Sequence, residues 1–212
     1  MKHLIKTSLL LLALCMPSAA MAYEFVVDGI YYATDLWDDF AMVCDQGEDG
    51  GHYSGNVTIP ATVTHDDTTY PVTRINAYAF SNCAELTGVS IPASVTEIGD
   101  HAFENCTSLA NVTIPDAVTE IGPCAFEGCT SFTQVEIPAG VTVIKLWSFQ
   151  NCTSLTDVYC HIADPAQVDL GLSAFKLEDE NYSARTLHVP AGSAAAYQDS
   201  DWSEYFGNIV EM

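Results

Sequence analysis

Phe80, Phe103, Phe126 and Phe149 stand 23 residues apart, and a cysteine follows each by three positions: Cys83, Cys106, Cys129 and Cys152. The same period carries Leu86, Leu109, Phe132 and Leu155, then Val89, Val112, Val135 and Val158. Ile91-Pro92, Ile114-Pro115 and Ile137-Pro138 hold this register, as do Val95, Val118 and Val141, then Ile98, Ile121 and Ile144. One such unit cannot bury its own apolar positions. Stacked units can, so the chain must fold as a solenoid of similar coils.

The physics of one coil is legible. Leu86 to Ile91 ends in a period-two strand with Val89 and Ile91 on one face. Pro92 stops it, because proline has no N–H for the ladder. Val95 and Ile98 form a second inward pair on another short extended segment. Gly99 and Gly122 are read as turn glycines. Asp100-His101-Ala102-Phe103 is read as a helical turn that drops Phe103 into the core.

Leu86-x-x-Val89-x-Ile91-Pro92-x-x-Val95-x-x-Ile98-Gly99-x-x-Ala102-Phe103-x-x-Cys106 resembles the BspA-type leucine-rich repeats, a class of exported bacterial proteins. Tyr53 to Pro60 looks like that family's first coil, followed by an insertion, His65 to Tyr70. Leu187 to Ser193, with Ala196-Tyr197 and Trp202, resembles its closing module. The pattern departs at Lys145 and Ser148, which replace the glycine and the alanine, and at Cys160-His161, which replaces Ile-Pro. The resemblance implies a surface location and adhesion or host and matrix contact.

The ends complete the architecture. Residues 1–22 read as a secretory signal: Lys2 and Lys6, an apolar run from Leu9 to Met16, and a small-x-small site at Ala20-Met21-Ala22. The run is too short to span a bilayer, and no later stretch reaches the ~20 apolar residues a transmembrane helix needs. Leu14 before Cys15 argues against lipidation, so cleavage is expected after Ala22, leaving a secreted, cell-surface or periplasmic protein. The remainder, 23–212, is expected to be one leucine-rich-repeat domain, β-dominated with short helical turns. Within it 23–54 form a hairpin-rich N-cap, 55–160 the repeats, and 161–212 the last coil and C-cap. Asp28-Gly29 is a favoured hairpin turn between Phe25-Val26-Val27 and Ile30-Tyr31-Tyr32.

Charge narrows the partners. The chain has 6 Lys+Arg against 28 Asp+Glu, a net charge of −22. That opposes nucleic-acid binding, which needs a basic surface. Partners are expected to be a protein or a glycan, with basic surfaces favoured.

Candidate chemistry is sparse. Seven cysteines follow residue 22. Neighbours in the 83–152 column are expected about 4.8 Å apart with parallel side chains, while bonded Cβ atoms lie about 3.8 Å apart, so the column reads as buried small hydrophobes. Cys44 and Cys160 are too distant along the stack to pair. Cys124 falls in the column Tyr78, His101, Cys124, Trp147, expected to face outward, where a reactive thiol is conceivable. His52, His65, His101, His161 and His188 lack the spacing of a zinc site. The Asp45-x-Gly-x-Asp49-Gly50 loop lacks the ligands of a calcium loop. Asn56, Asn105, Asn111, Asn151 and Asn181 stand in Asn-x-Ser/Thr contexts, mostly explained by the repeat. No phosphate loop, dinucleotide fingerprint or nucleophile elbow is present. We therefore expect no enzyme, no cofactor and no metal.

The useful surface is the outward side of the Val-x-Ile strands. One column reads Thr58, Ser90, Thr113, Glu136, Tyr159 and His188; a second reads Asn56, Gly88, Asn111, Gln134, Asp157 and Thr186. Thr113, Glu136, Tyr159, His188, Gln134 and Asp157 are the candidate ligand contacts, with Trp147 as a separate anchor. The expectation is an exported binding module using a continuous strand face; the alternative is an envelope component that packs against another envelope protein.

Overall fold

The computed structural model describes residues 23–35, 39–45 and 53–212. The expected export signal over 1–22, His52, and the Asp45–Gly50 loop beyond Asp45 lie outside the described residues.

The fold is a β-dominated solenoid whose coils each contribute to two sheets. The front strands are β4 (Gly55–Thr58), β7 (Leu86–Ser90), β9 (Asn111–Val112), β11 (Gln134–Ile137), β13 (Asp157–Cys160), β15 (Thr186–Val189) and β16 (Asn208–Glu211). The back sheet runs β1 (Phe25–Val27), β2 (Ile30–Thr34), β3 (Ala41–Cys44), β6 (Thr68–Ile75), β8 (Glu97–Ile98), β10 (Glu120–Ile121), β12 (Val143–Ile144) and β14 (Asp169–Leu170). Front neighbours pair in parallel, as coils wound in one sense must. The β1–β2 hairpin turns at Asp28-Gly29, both left-handed, and β3 hands the back sheet on to β6. The insertion is a second hairpin, β5 (Thr62–His65) with β6, turning at left-handed Asp66 and Asp67.

Between the sheets the Phe column forms one stack. Consecutive rings from Phe80 to Phe149 lie 5.0, 5.1 and 5.2 Å apart and within 7° of parallel. Phe175, 26 residues after Phe149, continues it at 4.9 Å. Tyr53 closes the stack at one end; Trp202 and Phe206 close it at the other. The C-terminal closure is built from α1 (Ala194–Gln198), a 3-10 turn (Asp201–Tyr205) and β16.

The cysteines beside the rings do more than fill space. Cys106, Cys129 and Cys152 each donate S–H to the carbonyl of the phenylalanine in the preceding coil, at 3.0–3.1 Å. Arg185 ends that column. Its buried guanidinium donates to the carbonyls of Cys152, Leu155 and Phe175, so the last coil's backbone acceptors stay satisfied.

Three expectations are revised. Gly99 and Gly122 do open turns, their carbonyls accepting from Ala102 N and Ala125 N at 3.3 Å, but neither has the positive φ for which a turn would need glycine. They are required by proximity: a Cβ on Gly99 would lie 2.8 Å from Ala77 N, and one on Gly122 would lie 2.7 Å from Gly99 C. The left-handed residue comes two positions later, at His101 (φ 55°) and Cys124 (φ 53°), with Tyr78, Trp147 and Ser173 in the equivalent places. The helical turn is accordingly a set of single i→i+3 hydrogen-bonded turns, such as Glu104 N to His101 O, interrupted by that residue. Finally, the front sheet is not continuous. It divides into β4-β7-β9 and β11-β13-β15-β16, with Thr133 N to Ala110 O at 3.4 Å linking the two parts. The break falls where Phe132 takes the leucine place and packs on Phe126 at 5.7 Å.

Candidate functional site

Strand alternation points Val135, Val158 and Leu187 inward, where they are buried. The residues on either side of them must then face solvent. Register follows the expected columns: Glu136 pairs with Tyr159, Tyr159 with His188 and His188 with Val210. Beside them Gln134 pairs with Asp157, Asp157 with Thr186 and Thr186 with Asn208. Thr113 and Gln134 are exposed; Thr113 belongs to the other half of the divided face.

Cross-strand contacts order the C-terminal half. The Tyr159 and His188 rings stack at 4.3 Å and 12°. His188 Nε2 lies 2.8 Å from Asp157 Oδ1 on the diagonal, and Thr156 Oγ1 donates to Asp157 Oδ2 at 2.9 Å. The His188 hydrogen bond, with help from Thr156, pulls the Asp157 carboxyl below its ordinary range. Glu136 Oε2 lies 3.8 Å from His161 Nε2, and the Glu136 side chain is 65% exposed. The result is an array of two carboxylates, a phenol ring and two imidazoles, carried on β11, β13 and β15 with His161 just past the end of β13. Chemically it can grip hydrogen-bond donors and cations. Sequence reading placed every member but missed His161, which stands in the proline column.

Trp147 lies elsewhere, on the turn edge. It is 42% exposed, near exposed Leu146 and Leu172; Trp147 N donates to Leu172 O. In the same column Tyr78 stacks on His101 at 4.7 Å, and His101 Nδ1 meets Glu104 Oε2 at 3.1 Å. Cys124 departs from the expectation of outward exposure. Its short side chain is 4% exposed, in a coil flanked by the larger His101 and Trp147. Burial and adjacent Glu127 push its thiol up to about 12, which removes the thiolate a reactive cysteine needs. All seven described cysteines are free and buried.

Other candidates resolve structurally. His65 stacks on Phe25 at 4.2 Å. Asn105 and Asn151 occupy left-handed positions, as Asn82 and Gly128 do in the same column; asparagine tolerates that conformation better than most residues. Asn105 Nδ2 also donates to Asn82 Oδ1 at 3.2 Å. Among the described residues no group of three or more His, Cys, Asp or Glu is placed to hold a metal ion, and no helix is long and apolar enough to cross a membrane.

Comparison with known proteins agrees with this architecture. The family profile described as BspA type Leucine rich repeat region matches residues 72–177 with six copies. Among solved structures, a leucine rich repeat protein of T. pallidum is 30% identical. That match covers 80% of this chain and 72% of the other, with a TM-score of 0.62. A leucine rich cell surface protein of Faecalibacterium prausnitzii is 28% identical, covering 92% of this chain and 51% of that one, with a TM-score of 0.56. A leucine-rich repeat protein of Bacteroides ovatus is 25% identical, covering 89% and 55%, with a TM-score of 0.51. The chain thus spans about half the length of the latter two. No curated protein matches it.

Proposed function

Because this chain belongs to the BspA-type leucine-rich repeat family, we propose that it is an exported, non-enzymatic binding module that recognises a protein or glycan outside the cell through its front strand face. The observation that carries this reading is the in-register array in which Tyr159, His188 and Asp157 are tied together by stacking and a 2.8 Å hydrogen bond, with solvent-exposed Glu136 on the neighbouring strand. Such an array loses little side-chain freedom on binding, and pre-organised contacts convert more of their energy into affinity. A signal cleaved after Ala22 and a cell-surface destination fit this reading, and the described name of the Faecalibacterium neighbour supports the latter.

The test is capture of matrix proteins, mucins and glycans by the purified 23–212 chain, beside a variant with Glu136, Tyr159 and His188 all changed to Ala. We expect binding by the native chain and its loss in the variant. Equal binding by both would remove the strand face from the site. Absence of any binding would favour an assembly role within the envelope.

A further inference from the structure

The strand face is chemically lopsided. Its N-terminal strands, Gly55–Thr58, Leu86–Ser90 and Asn111–Val112, carry no ionisable side chain. Its C-terminal strands carry Glu136 and Asp157 on the outward side and no lysine or arginine; Glu211 is in register with inward-pointing Val189 and accepts from Ala194 N, away from the face. All negative charge of the face is therefore gathered in one half, beside its one aromatic pair.

The strand order fixes how Tyr159 is used. His188 and Glu136 belong to the strands on opposite sides of β13. One face of the phenol ring is covered by His188 at 4.3 Å, so its other face looks toward Glu136. Adjacent strands lie about 4.8 Å apart, and Glu136 is in register with Tyr159, which places the Glu136 side chain beside that second face. The Asp157 carboxylate already accepts from His188 and Thr156, which holds the stack upright. Among the described residues Glu136 meets His161 at 3.8 Å, and its side chain is 65% exposed. A broad sugar ring wants an open aromatic platform, whereas here one ring face is closed and the other is walled by a carboxylate.

Resting on the strand-face reading above, we propose that this half of the face receives the cationic side chain, Arg or Lys, of an extended protein segment. The cation lies on the outer face of Tyr159 and bonds to the Glu136 carboxylate. Cation–π attraction operates within about 6 Å of the ring centroid, and a charge-assisted hydrogen bond to a carboxylate adds direction. A guanidinium laid on the ring presents its N–H edge to Glu136, so the two contacts are made together.

The probe is a heptapeptide of alternating Thr and Arg, compared with the same peptide in which citrulline replaces every Arg. Binding to the 23–212 chain is followed by calorimetry and by the Tyr159 ring resonances in NMR. We expect the Arg peptide to bind saturably and move those resonances, and the citrulline peptide to bind at least about tenfold more weakly. Glu136→Gln and Tyr159→Leu should each weaken the Arg peptide about tenfold. Glu120→Gln, which removes the same charge from the back sheet, should change it less than about twofold. Equal losses in Glu136→Gln and Glu120→Gln would reduce the effect to bulk charge and overturn the proposal. Equal binding of both peptides with Tyr159 shifts would overturn the cation assignment and leave the strand face standing. No shift at Tyr159 with either peptide, while the chain still captures a surface and the triple variant does too, would overturn both.

Discussion

Phe126→Ala is the sharpest test of the stacked core. The ring is fully buried and contacts three others, Phe103 at 5.1 Å, Phe149 at 5.2 Å and Phe132 at 5.7 Å. Truncating a buried phenylalanine costs about 3–5 kcal/mol, from lost transfer energy plus a residual cavity. Aromatic pairs add about 0.5–1.5 kcal/mol each beyond area burial, which places this site at the upper end, about 4–5 kcal/mol. For a domain of this size each kcal/mol lowers Tm by about 2–4 °C, so a drop of about 8–20 °C is expected. The assay is thermal and urea unfolding followed by circular dichroism. Leu172→Ala serves as control, because Leu172 is 78% exposed and should change stability by less than about 0.5 kcal/mol. A Tm within about 3 °C of the native chain for Phe126→Ala would refute the stacked column as the main source of stability.

The buried thiols make stability alkali-sensitive. Burial raises Cys44 and Cys83 to about 11 and Cys152 to about 12, against an ordinary value of 9.0. A raised folded-state pKa contributes stability that is fully present below pH 9 and lost as pH rises through 11–12. The urea midpoint should therefore fall between pH 8 and 10.5, and iodoacetamide at pH 8 should label no cysteine before unfolding. A flat midpoint, or rapid native labelling of Cys124, would contradict the burial. Asp157 has the opposite sign. Its lowered carboxyl contributes stability above its ordinary 3.8, lost as pH falls through the folded value. His188→Ala should move the Asp157 carboxyl titration in NMR upward, and an unchanged titration would break the pair. Gly122→Ala places a Cβ against backbone of the preceding coil and should cost about 1–3 kcal/mol by overpacking; a stability equal to native would refute the clearance requirement.

Much of the register of the candidate site was readable before the structure. A strand's side chains alternate with period two, and the repeat translates each position by one strand. The sequence therefore placed Glu136, Tyr159 and His188 in one column, and Gln134, Asp157 and Thr186 in the next. It could not show that His188 reaches diagonally to Asp157, because that bond depends on a rotamer choice between residues 31 apart. Phe175 was missed because an insertion stretches its spacing to 26, although the Ala174-Phe175 dipeptide carried the signal. Arg185 was missed altogether. A lone arginine in the sequence gives no sign that three carbonyls will converge on it.

By itself, the sequence determined the solenoid, the inward columns and the order of side chains along the front face, since these follow from periodicity and hydrophobic burial alone. Tertiary structure decided how closely the coils approach. Only at that spacing do Gly99 and Gly122 become necessary for clearance rather than for turning, and only there do the flanking coils cover Cys124. The same packing set the break in the front sheet beside Phe132 and joined the His188, Asp157 and Tyr159 array. Periodicity says which way a side chain points, whereas its contacts depend on the volumes and backbone distances of neighbouring coils.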